Sequence, residues 1–217
     1  MIRRRHHPDG TQNTRRLEAF TDGVFAIAAT LLVLDLTSHS LGTVTTDAEM
    51  WAALGGMWDL LVNFVLSFVL LGLLWLTHVQ QFEFIARIDG TMAWLNCGRL
   101  LFIVLVPFAT NLTTEHSEFL ASRLAMPVTF FMAILFGTLQ WMWALRHAPV
   151  MLPDLAPEDA RSLGRGSLSA LIISAAVVAA SPWIGSIAFV LFLADAPLTR
   201  FLRSRGASAA SPAASGE

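Results

Sequence analysis

The chain has no lysine and a single cysteine, Cys97, and only 14% of its 217 residues are charged. One thiol excludes an intrachain disulfide and any cysteine-based metal site. All 14 basic residues are arginines, a bias to which no function attaches. There is no G-x-S-x-G elbow, no H-E-x-x-H pair and no Walker loop, so no catalytic residue is expected. The six histidines are scattered, with His6 and His7 near the start and His39, His116 and His147 between apolar runs, so neither a metal site nor a cofactor is expected. What remains is apolar: 55% of the residues are hydrophobic, in long uncharged stretches. Such a composition marks an all-α, polytopic membrane protein folded as one bundle.

The run from Arg16 to Leu36, RLEAFTDGVFAIAATLLVLDL, organises the rest. Roughly 20 residues at about 1.5 Å each cover the bilayer core of about 30 Å, so this reads as the first membrane helix. It is long for a secretory signal, contains Asp22 and has no small-x-small site after it, so a cleaved leader is not expected. At about 100° per residue, Phe20, Gly23, Ile27, Leu31 and Leu34 share one stripe with Thr30 on its flank. Asp22, Ala26, Ala29 and Val33 fall on the far side. An intramembrane acid faces protein or a water-filled cavity, and small residues around it suit close helix packing. The Ile27–Leu31–Leu34 stripe is then left for lipid, the bundle or a symmetry axis.

Six membrane helices are expected, over about 17–36, 52–78, 92–113, 123–145, 166–181 and 183–203, with Ser181-Pro182-Trp183 as the turn between the last two. Residues 1–16 read as a basic arm held by anionic lipid rather than by nucleic acid. Residues 17–203 form the six-helix domain and 204–217 a flexible tail. Residues 37–51 read as an outer loop and 146–165 as a long inner loop broken by Pro149, Pro153 and Pro157. Every arginine except Arg99 and Arg123 falls on one side of this arrangement. The positive-inside rule therefore predicts that both termini are cytoplasmic, in the cell membrane.

Asp22, His78, Asn96 and Arg99 all lie in the cytoplasmic third of the first three expected helices. A buried charge persists only when paired and hydrogen-bonded. The group reads as a structural polar clasp, with His78 as a partner for Asp22 or Arg16. The same residues also fit a clasp that gates the first helix, or a proton relay in a proton-coupled transporter built on Asp22, His78 and Arg99. A non-conducting membrane scaffold is a further alternative.

Arg16-Leu-Glu-Ala-Phe20-Thr21-Asp22 resembles the R-x-x-x-F-S-D signature of the transmembrane protein 175 family, the endosomal and lysosomal potassium channels and their prokaryotic relatives. Thr21 replaces the family's serine and keeps the hydroxyl. The stretch GVFAIAATLLVLDL, Trp94-Leu-Asn96 and Pro107-Phe108-Ala-Thr110 are similar to the family's first and third helices, and the likeness covers about 17–200. The resemblance implies a single-repeat, homotetrameric channel whose first helices line a central pore without a carbonyl filter loop. No T-V-G-Y-G-like or re-entrant segment occurs here. By position, Ile27, Leu31 and Leu34 would face the pore with Ile27 at its neck, Thr30 would bear on potassium preference, and Arg16, Phe20, Thr21 and Asp22 would hold the helices together away from the pore. An apolar neck closes by dewetting, and four copies of Asp35 at the outer mouth would concentrate cations. The expected function is potassium-preferring cation conduction, with potassium as the permeating ion.

Overall fold

A chain that crosses hydrocarbon must satisfy its own backbone polar groups, and a single apolar run does so as a helix. The computed structural model describes residues 12–38 and 41–194. It contains β1 (Gln12–Asn13), α1 (Thr14–Ser38), α2 (Asp47–Gly56), α3 (Trp58–Phe82), β2 (Arg87–Ile88), α4 (Gly90–Glu115), α5 (Leu120–Arg146), α6 (Ala148–Met151) and α7 (Pro157–Ile184), then a 3₁₀ segment over Gly185–Ala194. The expected basic arm over 1–11, His39 and the expected tail 204–217 lie outside the described residues.

Among the described residues, five helices are long and apolar enough to cross a bilayer: α1, α3, α4, α5, and α7 together with most of the 3₁₀ segment, Pro157–Phe192. This corrects the expectation of six. Proline usually ends a helix, which made Ser181-Pro182-Trp183 look like a turn. Instead α7 runs through Pro182 and stops at Gly185, whose φ of 56° suits a residue without a Cβ. The ten residues that follow are 3₁₀ rather than a separate span. The last part of the expected sixth helix, 195–203, lies outside the described residues. The inference that both termini share one side rested on an even number of crossings and goes with the count.

Two loops are also more ordered than expected. Within 37–51 a helix starts at Asp47, because Thr46 and Glu49 form a reciprocal capping box. Three bonds from Thr45 and Thr46 to Oε2 of Glu49 hold its carboxyl below its usual range, chiefly the one from the Thr45 backbone. In the inner loop α7 begins at Pro157, where a missing N–H costs nothing and Glu158 and Asp159 meet the positive end of the helix dipole. The ladder Gln12↔Ile88 and Asn13↔Arg87 joins the chain entering α1 to the α3–α4 connection.

α4 and α5 form the centre of the bundle. α5 packs against α7, and α1 lies against α4 and α3 on one side. Helices this apolar are distinguished inside from outside by small and polar residues rather than by hydrophobicity. Gly98 brings α4 against Phe136 of α5, where a Cβ would clash with the ring. The hydroxyls of Thr110, Thr129, Thr138 and Ser181 turn back to the carbonyl four residues earlier. A second apolar cluster, including Phe82, Ile88, Met92, Trp141 and Met151, closes the end where α1 begins.

Gly98→Val is expected to lower the stability of the detergent-solubilised chain by about 1–3 kcal/mol through overpacking. Gly166→Ala, with no atom within 4 Å of the added Cβ, should be neutral or stabilising by up to about 1 kcal/mol. Thermal unfolding followed by tryptophan fluorescence measures both.

Candidate functional site

α1 buries Thr21, Phe25, Ala28 and Leu32, at 0–4% exposure. These positions recur at i, i+4, i+7 and i+11, so one narrow face meets α3 and α4. The face around Asp22 is not the packed one. Asp22, Ala26 and Val33 are exposed and Ala29 is half-buried. Asp22 and Ala26 instead line an outward groove of about 440 Å³ between α1 and α3. Carboxylate Oδ1 of Asp22 accepts from Nε1 of Trp75 at 2.9 Å. That bond ties α1 to α3 at the groove's edge.

The other ties are buried. Asn96 Nδ2 donates to Thr21 Oγ1 at 2.8 Å, and Asn96 Oδ1 accepts from Gln140 Nε2 at 3.1 Å. All three side chains are at most 1% exposed, so the hydroxyl and two amides join α1, α4 and α5 in one relay. Arg99 on α4 donates through Nη2 to the Leu74 carbonyl of α3 at 2.9 Å. The His78 ring lies 4.1 Å from that of Phe82 and 6.1 Å from that of Phe25, centre to centre, and neither ring nitrogen has a hydrogen-bond partner. Gln81 Nε2 reaches Ser167 Oγ at 3.0 Å, linking α3 to α7.

The polar residues singled out in the sequence therefore do not form one hydrogen-bonded network. Thr21 and Asn96 meet. Trp75 donates to Asp22, Arg99 donates to the Leu74 carbonyl and His78 only packs against Phe25 and Phe82, so no hydrogen bond joins any two of the three. Arg16 and Phe20 are exposed. Gln140 and Trp75 escaped the sequence reading. Gln140 carried a usable signal, as a lone amide inside an apolar helix. Trp75 had the placement of an interfacial aromatic and offered none.

The second uncovered arc of α1 carries Phe20, Ile27, Leu31 and Leu34, at 57%, 58%, 41% and 55% exposure. Thr30 is exposed beside them and its hydroxyl donates to the Ile27 carbonyl at 2.8 Å. With its hydrogen committed to the backbone, the Thr30 oxygen presents lone pairs outward. Asp35 lies on α1, but its side chain is outside the described residues.

Comparison with known proteins finds one family along the first half of the chain. The profile described as "Endosomal/lysosomal potassium channel TMEM175" matches residues 16–107. A potassium channel of Streptomyces collinus is 35% identical over 131 residues, which cover 58% of this chain and 62% of that protein. A potassium channel of Chamaesiphon minutus is 36% identical over 115 residues, covering 53% and 56%. The endosomal/lysosomal proton channel TMEM175 of Gallus gallus is 35% identical over 142 residues, 61% of this chain but 28% of that one. The matched stretch thus spans less than two thirds of the length of each of these relatives. Among solved structures, a lysosomal potassium-selective channel TMEM175 homolog from Chamaesiphon minutus superposes with a TM-score of 0.58 at 26% identity, over 84% of this chain and 97% of that one. A structure of the potassium channel MtTMEM175 shares the fold, with a TM-score of 0.63 at 19% identity over 92% and 95%.

Thr21→Val strands the Asn96 amide in the bundle and is expected to cost about 1–2 kcal/mol. Thr21→Ser keeps the acceptor and should unfold close to the parent temperature. Equal stability of the two variants would mean that the hydroxyl does not carry the tie.

Proposed function

We propose that the chain, which matches the TMEM175 profile over residues 16–107, is a member of that family and a potassium-preferring cation channel in the cell membrane. Four copies meet around an axis, and their first helices line the pore. The observation that carries this reading is the way α1 packs. It buries only its Thr21–Phe25–Ala28–Leu32 face and leaves the Ile27–Leu31–Leu34 stripe, with Thr30 beside it, uncovered in the single chain. A homotetramer gives that stripe something to meet other than lipid.

In this reading the conduit is an apolar tube with hydroxyl oxygens on its flank. A ring of four Ile27 side chains narrows it, and such a neck empties of water when slightly tightened. An ion that passes must shed part of its hydration shell. That cost is lower for potassium than for the smaller sodium ion, because the Born energy of hydration falls with ionic radius. Thr30 oxygens offer lone pairs where water is lost. Asp22 stays off the path, held by Trp75, and the Thr21–Asn96–Gln140 relay anchors α1 while its other face meets the ions. Arg15 and Arg16 at the start of α1, Arg87, Arg146, Arg161 and Arg165 favour a cytoplasmic position for that end of the bundle. No catalytic residue and no cofactor enter this mechanism. The proton-coupled alternative draws no support from the geometry, since Asp22, His78 and Arg99 share no hydrogen bond.

Purified chain reconstituted in liposomes should pass potassium down an imposed gradient and discriminate against sodium; absence of flux overturns the proposal. Ile27→Asn should give a larger conductance and a weaker preference for potassium. A variant with parental conductance and ion preference removes Ile27 from the neck.

A further inference from the structure

Among the described residues, the guanidinium of Arg99 has no negative partner. Its side chain is 1% exposed. Nη2 donates to the Leu74 carbonyl, while Nε and Nη1 have no hydrogen-bond partner. Among the described residues, the ion pair that forms is His116 with Glu118, near the opposite ends of α4 and α5. Arginine does not shed its proton, and an uncompensated charge in apolar surroundings is strongly unfavourable. One carbonyl oxygen does not neutralise it.

Beside the guanidinium lies a cavity of about 160 Å³, bounded by α3, α5, α7 and the 3₁₀ segment. Its walls are mostly apolar, with Leu74, Phe130, Ile134 and Phe192 prominent. The hydroxyls that reach it are already committed. Thr77 donates to the Leu73 carbonyl, Thr138 to that of Ile134 and Ser167 to that of Leu163. Gln81 has spent one amide hydrogen on Ser167 and keeps the other. Arg99 thus lines the space with a fixed positive charge and two unanswered N–H groups, and Gln81 lines it with one amide hydrogen to spare. Gly137 makes the arrangement possible, since a Cβ there would stand 3.2 Å from Cζ of Arg99.

We propose that this cavity binds one weakly hydrated monoanion, a halide or a short carboxylate, on the Arg99 guanidinium. One negative charge completes the neutralisation that the fold leaves open. The cavity is several times the volume of about 30 Å³ that one water takes in the liquid, which is room for such an anion. The apolar walls cannot replace a tightly held hydration shell, so sulfate and gluconate are refused. A dianion would also leave a second charge uncompensated. The bound anion draws α3, α4, α5 and α7 around one charge, and by linkage it stabilises the folded chain as its concentration rises. This assignment concerns the fold and stands apart from conduction.

The test uses the full chain in detergent, with potassium and ionic strength held constant and gluconate replaced stepwise by bromide or by butyrate. A saturable rise in Tm is expected with at least one of these, and none in gluconate alone. Bromide acting without butyrate assigns an aqueous halide, and the reverse assigns a carboxylate. Arg99→Gln should abolish the titration. Because that variant removes a buried tie, Ile134→Phe, which fills the cavity and leaves the guanidinium in place, serves as the second variant and should also lose the saturable part. Crystals grown in bromide should give an anomalous peak within hydrogen-bond distance of Nε or Nη1. Identical Tm in bromide, butyrate and gluconate, an unchanged titration in Ile134→Phe, or only water beside Arg99 overturns the assignment.

Discussion

Asn96 holds the bundle's central polar contact. Its amide nitrogen reaches Thr21 on α1 and its amide oxygen is met by Gln140 on α5. Inside a bilayer there is no water to replace either partner, so both ends of that amide must be answered by protein. Apolar packing alone does not rank one rotation of a membrane helix above another, because lipid tails are as apolar as leucine. Each such bond contributes only about 0.6 kcal/mol on average. Its importance here is directional. It selects the face of α1 that turns inward, and every other property of α1 follows from that choice.

Once Thr21 points inward, helical geometry turns Phe25, Ala28 and Leu32 inward as well. Asp22 then falls about 100° to one side, where Trp75 meets it. The Ile27–Leu31–Leu34 stripe falls on the other uncovered arc. The ladder between β1 and β2 holds the entry of α1 to the α3–α4 connection. α1 is thereby anchored at its start and along one face, and its remaining surface is left uncovered in the single chain.

Arg99 and His78 show the same bundle handling polar groups differently. His78 is packed between Phe25 and Phe82 and makes no hydrogen bond. Arg99 lies over Gly137 with one carbonyl for company. Both had been grouped with Asp22 in one polar clasp, because all three fall at similar depth along their helices. Depth follows from sequence position; rotation about the helix axis does not. The carboxylate, the imidazole and the guanidinium face different neighbours although their heights match.

The membrane class, the approximate place of the first four spans, the likeness to a potassium-channel family and the separation of Asp22 from the Ile27 stripe were all legible in the chain, although the second span starts at Trp58 rather than 52 because α2 ends at Gly56. Each depends on local composition, on a contiguous motif or on the fixed 3.6-residue turn, and none requires knowing what lies across the bundle. Which α1 face packs, the surroundings of Arg99 and His78, the roles of Gln140 and Trp75, and the count of five candidate crossings among the described residues belonged to the tertiary structure. Pro182 broke the pattern without breaking α7, and the helix ended at Gly185 instead. Apolar periodicity reports that a helix has faces. Which face goes in depends on hydrogen bonds between residues as far apart as Thr21, Asn96 and Gln140, and those pairings exist only once the helices have met.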